Sequence, residues 1–195
     1  MSLNLRIALI DLECTCSESQ PILIEGHEII EIGVVACDLS TDNLKIIDSL
    51  QLYVRPIDNP TLTAFCTKLT GIEQVIVDNA VPLNYRLLEL SSWLQVSKVE
   101  AWGSWGVFDR SQFIMECRLK KLTNPLAHLQ HFNVKQLFAR KFGHKVGLGR
   151  ALIMKELSFE GRAHSGIDDA KNVAKLLAQE NILRDAILQR VKNYD

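Results

Sequence analysis

Asp11 and Glu13 close an apolar run, Ile7-Ala8-Leu9-Ile10, that has the composition of a strand buried on both faces. Residues i and i+2 of a strand point to one face, so these two carboxylates project side by side. Adjacent anions repel and raise each other's pKa unless a cation lies between them. Hard oxygen donors on one strand suit Mg²⁺ or Mn²⁺. Taken alone, the pair reads more simply as solvated loop carboxylates after a strand that ends near Leu9. Two further acidic positions alter that reading. Asp109 directly follows the strand-to-helix turn Trp102-Gly-Ser-Trp-Gly-Val-Phe108, and Asp169 stands in the first turn of a helix with His164 five residues upstream. Four carboxylates from three separated elements plus one imidazole are the donor set of a two-metal phosphodiester-cleaving site. In such a site ions ~3.5–4 Å apart clamp the attacking and leaving oxygens, and the histidine takes the proton from water. Asp168 competes with Asp169 for the last ligand position, and as a helix-start anion it has a second, dipole-satisfying role available.

The elements that must position these groups are readable from periodicity. A first strand runs from Leu5 to Glu13, and Cys14 to Gly26 is a polar connection. A second strand spans Glu28 to Leu39, Asp38 to Asn43 makes a turn, and a third strand spans Lys45 to Val54 with a period of two. Pro56 and Pro60 end this three-strand meander. Helices are predicted over Thr61–Leu69, over Pro82–Leu94 with Leu83, Leu87, Leu90 and Leu94 on one face, and over Asp109–Lys120. A fourth strand is predicted over Val99–Trp105. Asn133 caps a helix over Val134–Phe142 that Gly143 stops. Further helices follow over Arg150–Leu157, Gly166–Gln179 and Ile182–Val191. Gly143 to Gly149 lacks the lysine and spacing of a phosphate-binding P-loop and reads as a plain connection. Strands first and helices later imply an α/β fold, a mixed central sheet flanked by helices.

Composition sets the bounds. At 195 residues, 47% of them hydrophobic, the chain is long enough for one sizeable core, so a single domain over 1–195 is expected. A formal net charge of −1 gives no global field to draw in a polyanion, which must then be held locally. Five scattered cysteines, Cys14, Cys16, Cys37, Cys66 and Cys117, without a secretory signal indicate reduced thiols and a cytoplasmic location. Cys14 and Cys16 have no second Cys or His pair at zinc-site spacing. No apolar run approaches the roughly 20 residues that span a bilayer, so no membrane partner is expected.

Three segments, Asp11-Leu-Glu13, the Trp102-to-Asp109 turn, and His164-Ser-Gly-Ile-Asp-Asp169-Ala-Lys-Asn, resemble in order the three motifs of the DEDDh 3′–5′ exonucleases of the RNase T and proofreading superfamily. Tyr53-Val-Arg-Pro56, Leu62-Thr-Ala-Phe-Cys66 and Leu69-Thr-Gly-Ile72 are similar to the branch of histone-mRNA and small-RNA 3′ exonucleases and their bacterial KapD-like relatives. The resemblance implies an RNase H-like fold. It implies that Asp11, Glu13, Asp109 and Asp169 ligate two Mg²⁺ or Mn²⁺ ions and that His164 is the general base. Its spacing favours Asp169 over Asp168. It also implies release of nucleoside 5′-monophosphates from the 3′ ends of single-stranded nucleic acid, RNA favoured over DNA. Phe65, Leu69, Thr70, Gly71 and Ile72 would hold the terminal nucleotide, with Phe65 as a stacking surface; Phe65 and Leu69 equally fit the core of a short helix. Trp102 and Trp105 read as sheet packing. The length leaves no room for the added binding module that eukaryotic members of the branch often carry. The alternatives are a DNA proofreading-type exonuclease, for which no polymerase-binding tail is recognisable, and a non-catalytic nucleic-acid-binding protein, which loss of a motif residue would mark.

Overall fold

The near-continuous apolar character of Leu5–Cys14 places that segment, β1, in the middle of a sheet, where both faces are covered. The computed structural model describes residues 5–18, 26–40 and 42–192. Residues 19–25 of the expected polar connection, Thr41 of the expected turn and the initial Met1-Ser2-Leu3 lie outside the described residues. β2 (Ile29–Leu39) pairs antiparallel with β1, and β3 (Leu44–Arg55) antiparallel with β2, which is the meander expected from the sequence. β4 (Val81–Pro82), β5 (Ala101–Ser104) and β6 (Gln130–Asn133) complete a mixed sheet of order β4-β3-β2-β1-β5-β6, in which β5 runs parallel to both β1 and β6.

Helices cover both faces of this sheet. On one side lie α3 (Leu83–Val96) and α4 (Phe108–Leu119). On the other lie α5 (Val134–Phe142), α6 (Leu148–Met154), α7 (Gly166–Gln179) and α8 (Asn181–Lys192). The period of two along β1 sorts its side chains between the layers. Leu5, Ile7 and Leu9 join the core with α5 to α8, and Ala8, Ile10 and Leu12 join the core with α3 and α4. Two short helices, α1 (Ala64–Thr70) and α2 (Gln74–Asp78), enclose a third cluster around Ile30, Cys66, Ile72 and Val77. No described helix is long and apolar enough to cross a membrane.

Local chemistry explains where the elements depart from the periodicity. α1 begins at Ala64 instead of Thr61, because the Thr63 hydroxyl accepts the Cys66 N–H at 3.0 Å and thereby starts the helix. Asn133 caps α5 as expected, its Oδ1 accepting Gln136 N–H at 2.8 Å, and Gly143 ends it at φ 77°. α6 starts two residues before Arg150 and stops at Met154, short of Leu157; Glu156 at φ 58° breaks it. β5 keeps four of the seven residues expected of it. β4, β6 and α2 have no counterpart in the sequence reading.

The seat of α7 is the contact that positions the site. Its first residue, Gly166, lies flat against the sheet: a methyl group at Gly33 of β2 would stand 2.1 Å from the Gly166 carbonyl carbon and 2.2 Å from Ile167 N. A methyl at Gly166 would come within 2.9 Å of the Asp11 carbonyl oxygen. Only glycine at both positions lets the helix sit this close. Gly33→Ala is therefore expected to force α7 off the sheet at a cost of roughly 1–3 kcal/mol, as overpacked cores do. Urea unfolding measures this directly, and an unchanged midpoint would contradict the contact.

Candidate active site

Asp11 and Glu13 project from β1 toward the α7 layer, continuing the face that carries Leu5, Ile7 and Leu9. Asp169, in the first turn of α7, arrives from above. One carboxylate oxygen of each of Asp11, Glu13 and Asp169 lies within 4.8 Å of the others. Asp169, not Asp168, takes part in this cluster. Asp168 turns to the loop, where its Oδ2 accepts Arg162 N–H at 2.9 Å.

Asp109 lines the same cleft but stands outside the cluster of three. Parallel pairing of β1 with β5 ends at Leu9–Gly103, which leaves the next N–H groups of β1 without a strand partner on that side. Asp109 Oδ1 accepts one of them, Leu12 N–H, at 3.1 Å. The nearby Ser104 hydroxyl, which bonds Gly106 O at 3.1 Å and His131 Nε2 at 3.0 Å, also lowers the pKa of this carboxyl. The short β5 thus both frees the edge of β1 and delivers, through its turn into α4, the side chain that satisfies it.

The electrostatics show what this arrangement costs. Burial, then Asp109, Asp169, Glu13 and Glu31, push the Asp11 carboxyl well above the ordinary carboxylate range. Burial and the facing Glu31 push Glu13 to about 8, a rise that the Arg162 guanidinium partly offsets. Asp109 is raised to about 6 by burial, against the lowering by its N–H donors and the nearby Ser104 hydroxyl. Asp169 is raised to about 6, also by burial. Each shift marks a site that disfavours concentrated negative charge unless protons or cations neutralise it.

Glu31 was not visible as a site residue from sequence, because it sits inside the apolar run of β2. It is 1% exposed and lies directly opposite Glu13 across the β1–β2 pair. Its Oε1 accepts Ile167 N–H at 3.1 Å and Gln51 Nε2 at 2.9 Å. Ser165, at the N-cap of α7, makes no capping bond with its own side chain. Glu31 therefore supplies from the sheet the anion that this helix start lacks.

His164 is exposed on the loop before α7 and lines the cleft. Its backbone is held at φ 62°, and its N–H donates to Asp169 Oδ2 at 2.8 Å. Arg162 fastens the same loop to α1: its Nη2 donates to Lys68 O at 3.0 Å, and its guanidinium occupies the space a side chain at Gly71 would need.

The cleft has a volume of about 770 Å³. Of the residues expected to hold a nucleotide, Phe65 and Leu69 line it. Thr70 and Ile72 do not: both are buried, and the Thr70 hydroxyl bonds Cys66 O and Ile72 N–H. Gly71 is the left-handed cap of α1. Trp102 is sheet packing, as read, edge-on to Phe113. Trp105 departs from that reading by packing on Phe138 and lining the cleft as well. The stretch Gly147 to Gly149, read as a plain connection, forms cleft wall with Phe108 and Phe159. Glycines at 147 and 149 were the only available signal.

Residues 8–177 match the family model described as Exonuclease. The chain is 34% identical to the 3′-5′ exoribonuclease 1 of Mus musculus over 95% of its own length and 55% of that protein's, so it spans about half of that relative. It is 32% identical to the 3′-5′ exonuclease Snipper of Drosophila melanogaster, covering 93% of this chain and 70% of the other. Among solved structures, the nuclease domain of 3′hExo, a DEDDh family member bound to rAMP, superposes with a TM-score of 0.80 at 31% identity, covering 89% of this chain and 90% of that one. A 3′-exonuclease solved in 3′-end specific recognition of the histone mRNA stem-loop gives 0.81 at 30% identity, covering 89% and 80%. With the fold, the carboxylate cluster and the match over most of its length, this chain belongs to the exonuclease family and has the RNase H-like architecture of its DEDDh members.

Proposed function

We propose that this chain is a 3′–5′ exonuclease, dependent on Mg²⁺ or Mn²⁺, that releases nucleoside 5′-monophosphates from single-stranded nucleic acid, with RNA preferred. The observation that carries this reading is the cluster of Asp11, Glu13 and Asp169 oxygens within 4.8 Å, on a cleft also lined by Asp109 and His164. The donor set fits hard divalent cations: it is all carboxylate oxygen and is charge-frustrated in their absence. Asp11, Glu13 and Asp169 would hold the ions, with Asp109 beside them. Bound ions would supply the positive charge that stabilises the phosphate and the departing 3′ oxygen. The His164 ring, at the mouth of the cleft, accepts the proton of the attacking water. Phe65, Leu69, Trp105 and Phe108 provide the apolar walls against which the last base and ribose rest and from which water is excluded. The preference for RNA is supported by relatives named exoribonucleases.

Degradation of matched 5′-labelled RNA and DNA oligonucleotides tests the proposal. Both should lose mononucleotides stepwise from the 3′ end, RNA faster, in Mg²⁺ or Mn²⁺ and not in chelator. A circular RNA should resist. Asp11→Asn should abolish the reaction yet leave the fold intact or more stable, since one charge leaves a repelling cluster. Turnover in excess chelator, or binding without turnover in metal, would exclude this reading.

His164→Ala is expected to lower kcat by roughly 10²–10⁴, the usual contribution of a general base, with metal affinity nearly unchanged. A collapse of metal affinity would instead make the ring a ligand.

The raised carboxylates also give a pH dependence with a definite sign. The metal-free folded protein retains protons on Glu13 up to about 8 and on Asp109 and Asp169 up to about 6. The unfolded chain releases them near the ordinary values of about 4. Unfolding therefore sheds protons, and this contribution to stability falls as pH rises from about 4 to about 8. Metal binding displaces the same protons, so the increase in Tm on adding Mg²⁺ or Mn²⁺ should grow across that range. A pH-independent increment would contradict it.

A further inference from the structure

The near-zero net charge of the chain conceals a segregation along it. From Cys117 to Lys155 there are nine Lys and Arg residues and no Asp or Glu, so the remainder of the molecule is net acidic. This acid-free segment contains β6, α5 and α6, and its glycine-marked part, Gly147 to Gly149, is a wall of the cleft. Lys145 lies two residues before that wall and Arg150 immediately after it, and both are exposed. Arg140 and Lys141, also exposed, end α5 just before the turn, and the two helices are joined at their far ends by Lys155 Nζ, 3.3 Å from the Phe142 ring centroid.

Structural duties do not account for these cations. Lys120 and Lys155, elsewhere in the segment, form ion pairs. Among the described residues, Arg140, Lys141, Lys145 and Arg150 have no carboxylate partner. The C-terminal dipole of α5 accounts for Arg140 and Lys141 at most. Arg150 stands in the first turn of α6, where the helix favours an anion. A methyl group at Gly147 or Gly149 would meet nothing within 4 Å, so neither packing nor a positive φ demands glycine there; the pair leaves bare backbone facing the cleft.

We propose that the α5–α6 face, centred on Lys145 and Arg150, binds the phosphodiester backbone of the single strand just upstream of the 3′-terminal nucleotide. It extends the cleft, and the inference rests on the nucleic-acid reading of that cleft. The occupant follows from the charge: four cations without a carboxylate partner among the described residues, no acidic residue within the segment that carries them, and continuity with a wall that would receive the strand's end. Affinity for the body of the strand would then come from this face, while the carboxylate cluster and His164 act on its last bond. A protein that is acidic elsewhere would in this way present one basic path leading to its site.

The test compares Lys145→Gln/Arg150→Gln with a matched control, Lys45→Gln/Lys98→Gln. The control cations are exposed; Lys45 is the second residue of β3 and Lys98 precedes β5, both at the end of the sheet remote from the site. Binding of a 5′-labelled single-stranded RNA of about 20 nucleotides is followed by anisotropy across a salt series in chelator, where turnover is not required. Neutralising two phosphate contacts should flatten the plot of log Kd against log salt by about 1.4, at ~0.7 per contact for a single strand. Affinity near 0.1 M salt should fall roughly tenfold, while the control stays within about twofold. In metal, KM for the long RNA should rise similarly, with kcat and the KM for a dinucleotide unchanged. Equal behaviour of the two double variants, or salt-independent binding by the unaltered protein, would overturn the proposal. Binding that depends on this face without any cleavage would sink the exonuclease reading and leave the basic path standing; cleavage with unaltered salt slopes would do the reverse.

Discussion

Carboxylates packed side by side in a poorly solvated cleft repel one another, and the rest of this structure is arranged around holding them there. Asp11 and Glu13 are fixed because β1 lies inside the sheet: β2 pairs with it along its whole length, Asp109 holds Leu12 N–H where β5 has ended, and helices cover both faces. A side chain at the end of an edge strand would swing into water to relieve the repulsion. Here the backbone is committed, so the strain is expressed as raised pKa values in place of displaced side chains. The donors that do approach, Leu12 N–H and the backbone N–H of His164, go to Asp109 and Asp169, which come from the helices. Asp11 and Glu13 carry the larger shifts accordingly.

The approach of α7 solves a related problem. To bring Asp169 to the strand carboxylates, the helix must begin almost in contact with the sheet, and its first N–H groups are thereby removed from water. The glycines at 33 and 166 allow the distance, and Glu31 satisfies Ile167 N–H. A carboxylate opposite Glu13 aggravates the repulsion at the site, yet replacing it with an apolar residue would orphan a buried donor. Loss of that hydrogen bond costs the desolvation of the N–H, on the order of 1–3 kcal/mol. The same residue is thus an electrostatic burden to the cluster and a structural requirement of the helix that completes it.

What the sequence disclosed follows from which forces are local. The meander was legible because β2 and β3 carry long apolar or alternating runs, and α5 and α7 were bounded correctly by a capping Asn133, a stopping Gly143 and the strongly amphipathic pattern of 166–179. β6 was not. Gln130-His-Phe-Asn133 is a strand only because β5 offers it a parallel edge, and Phe132 alone is buried among its four residues. Motif residues were legible through their spacing and Phe65 and Leu69 through the family resemblance, whereas the other walls of the cleft were not: Phe108, Phe159 and Gly147 to Gly149 come from segments far apart in the chain that meet only in the fold. Glu31 escaped notice for the opposite reason. A single acidic residue in an apolar run has no periodic signature, and its partner is a backbone N–H 136 positions away.

The loop carrying His164 divides labour differently from the carboxylates. Its backbone is tied at three points, Arg162 N–H to Asp168, His164 N–H to Asp169, and the Arg162 guanidinium to the end of α1. The imidazole itself is exposed. Holding a non-glycine residue at φ 62° costs on the order of 1 kcal/mol, which glycine would avoid. Backbone geometry alone would therefore select against histidine at this position. Its presence there points to the ring, and a tethered backbone with an exposed ring is the arrangement that lets one group reach the end of the cleft while the strand-borne carboxylates stay fixed.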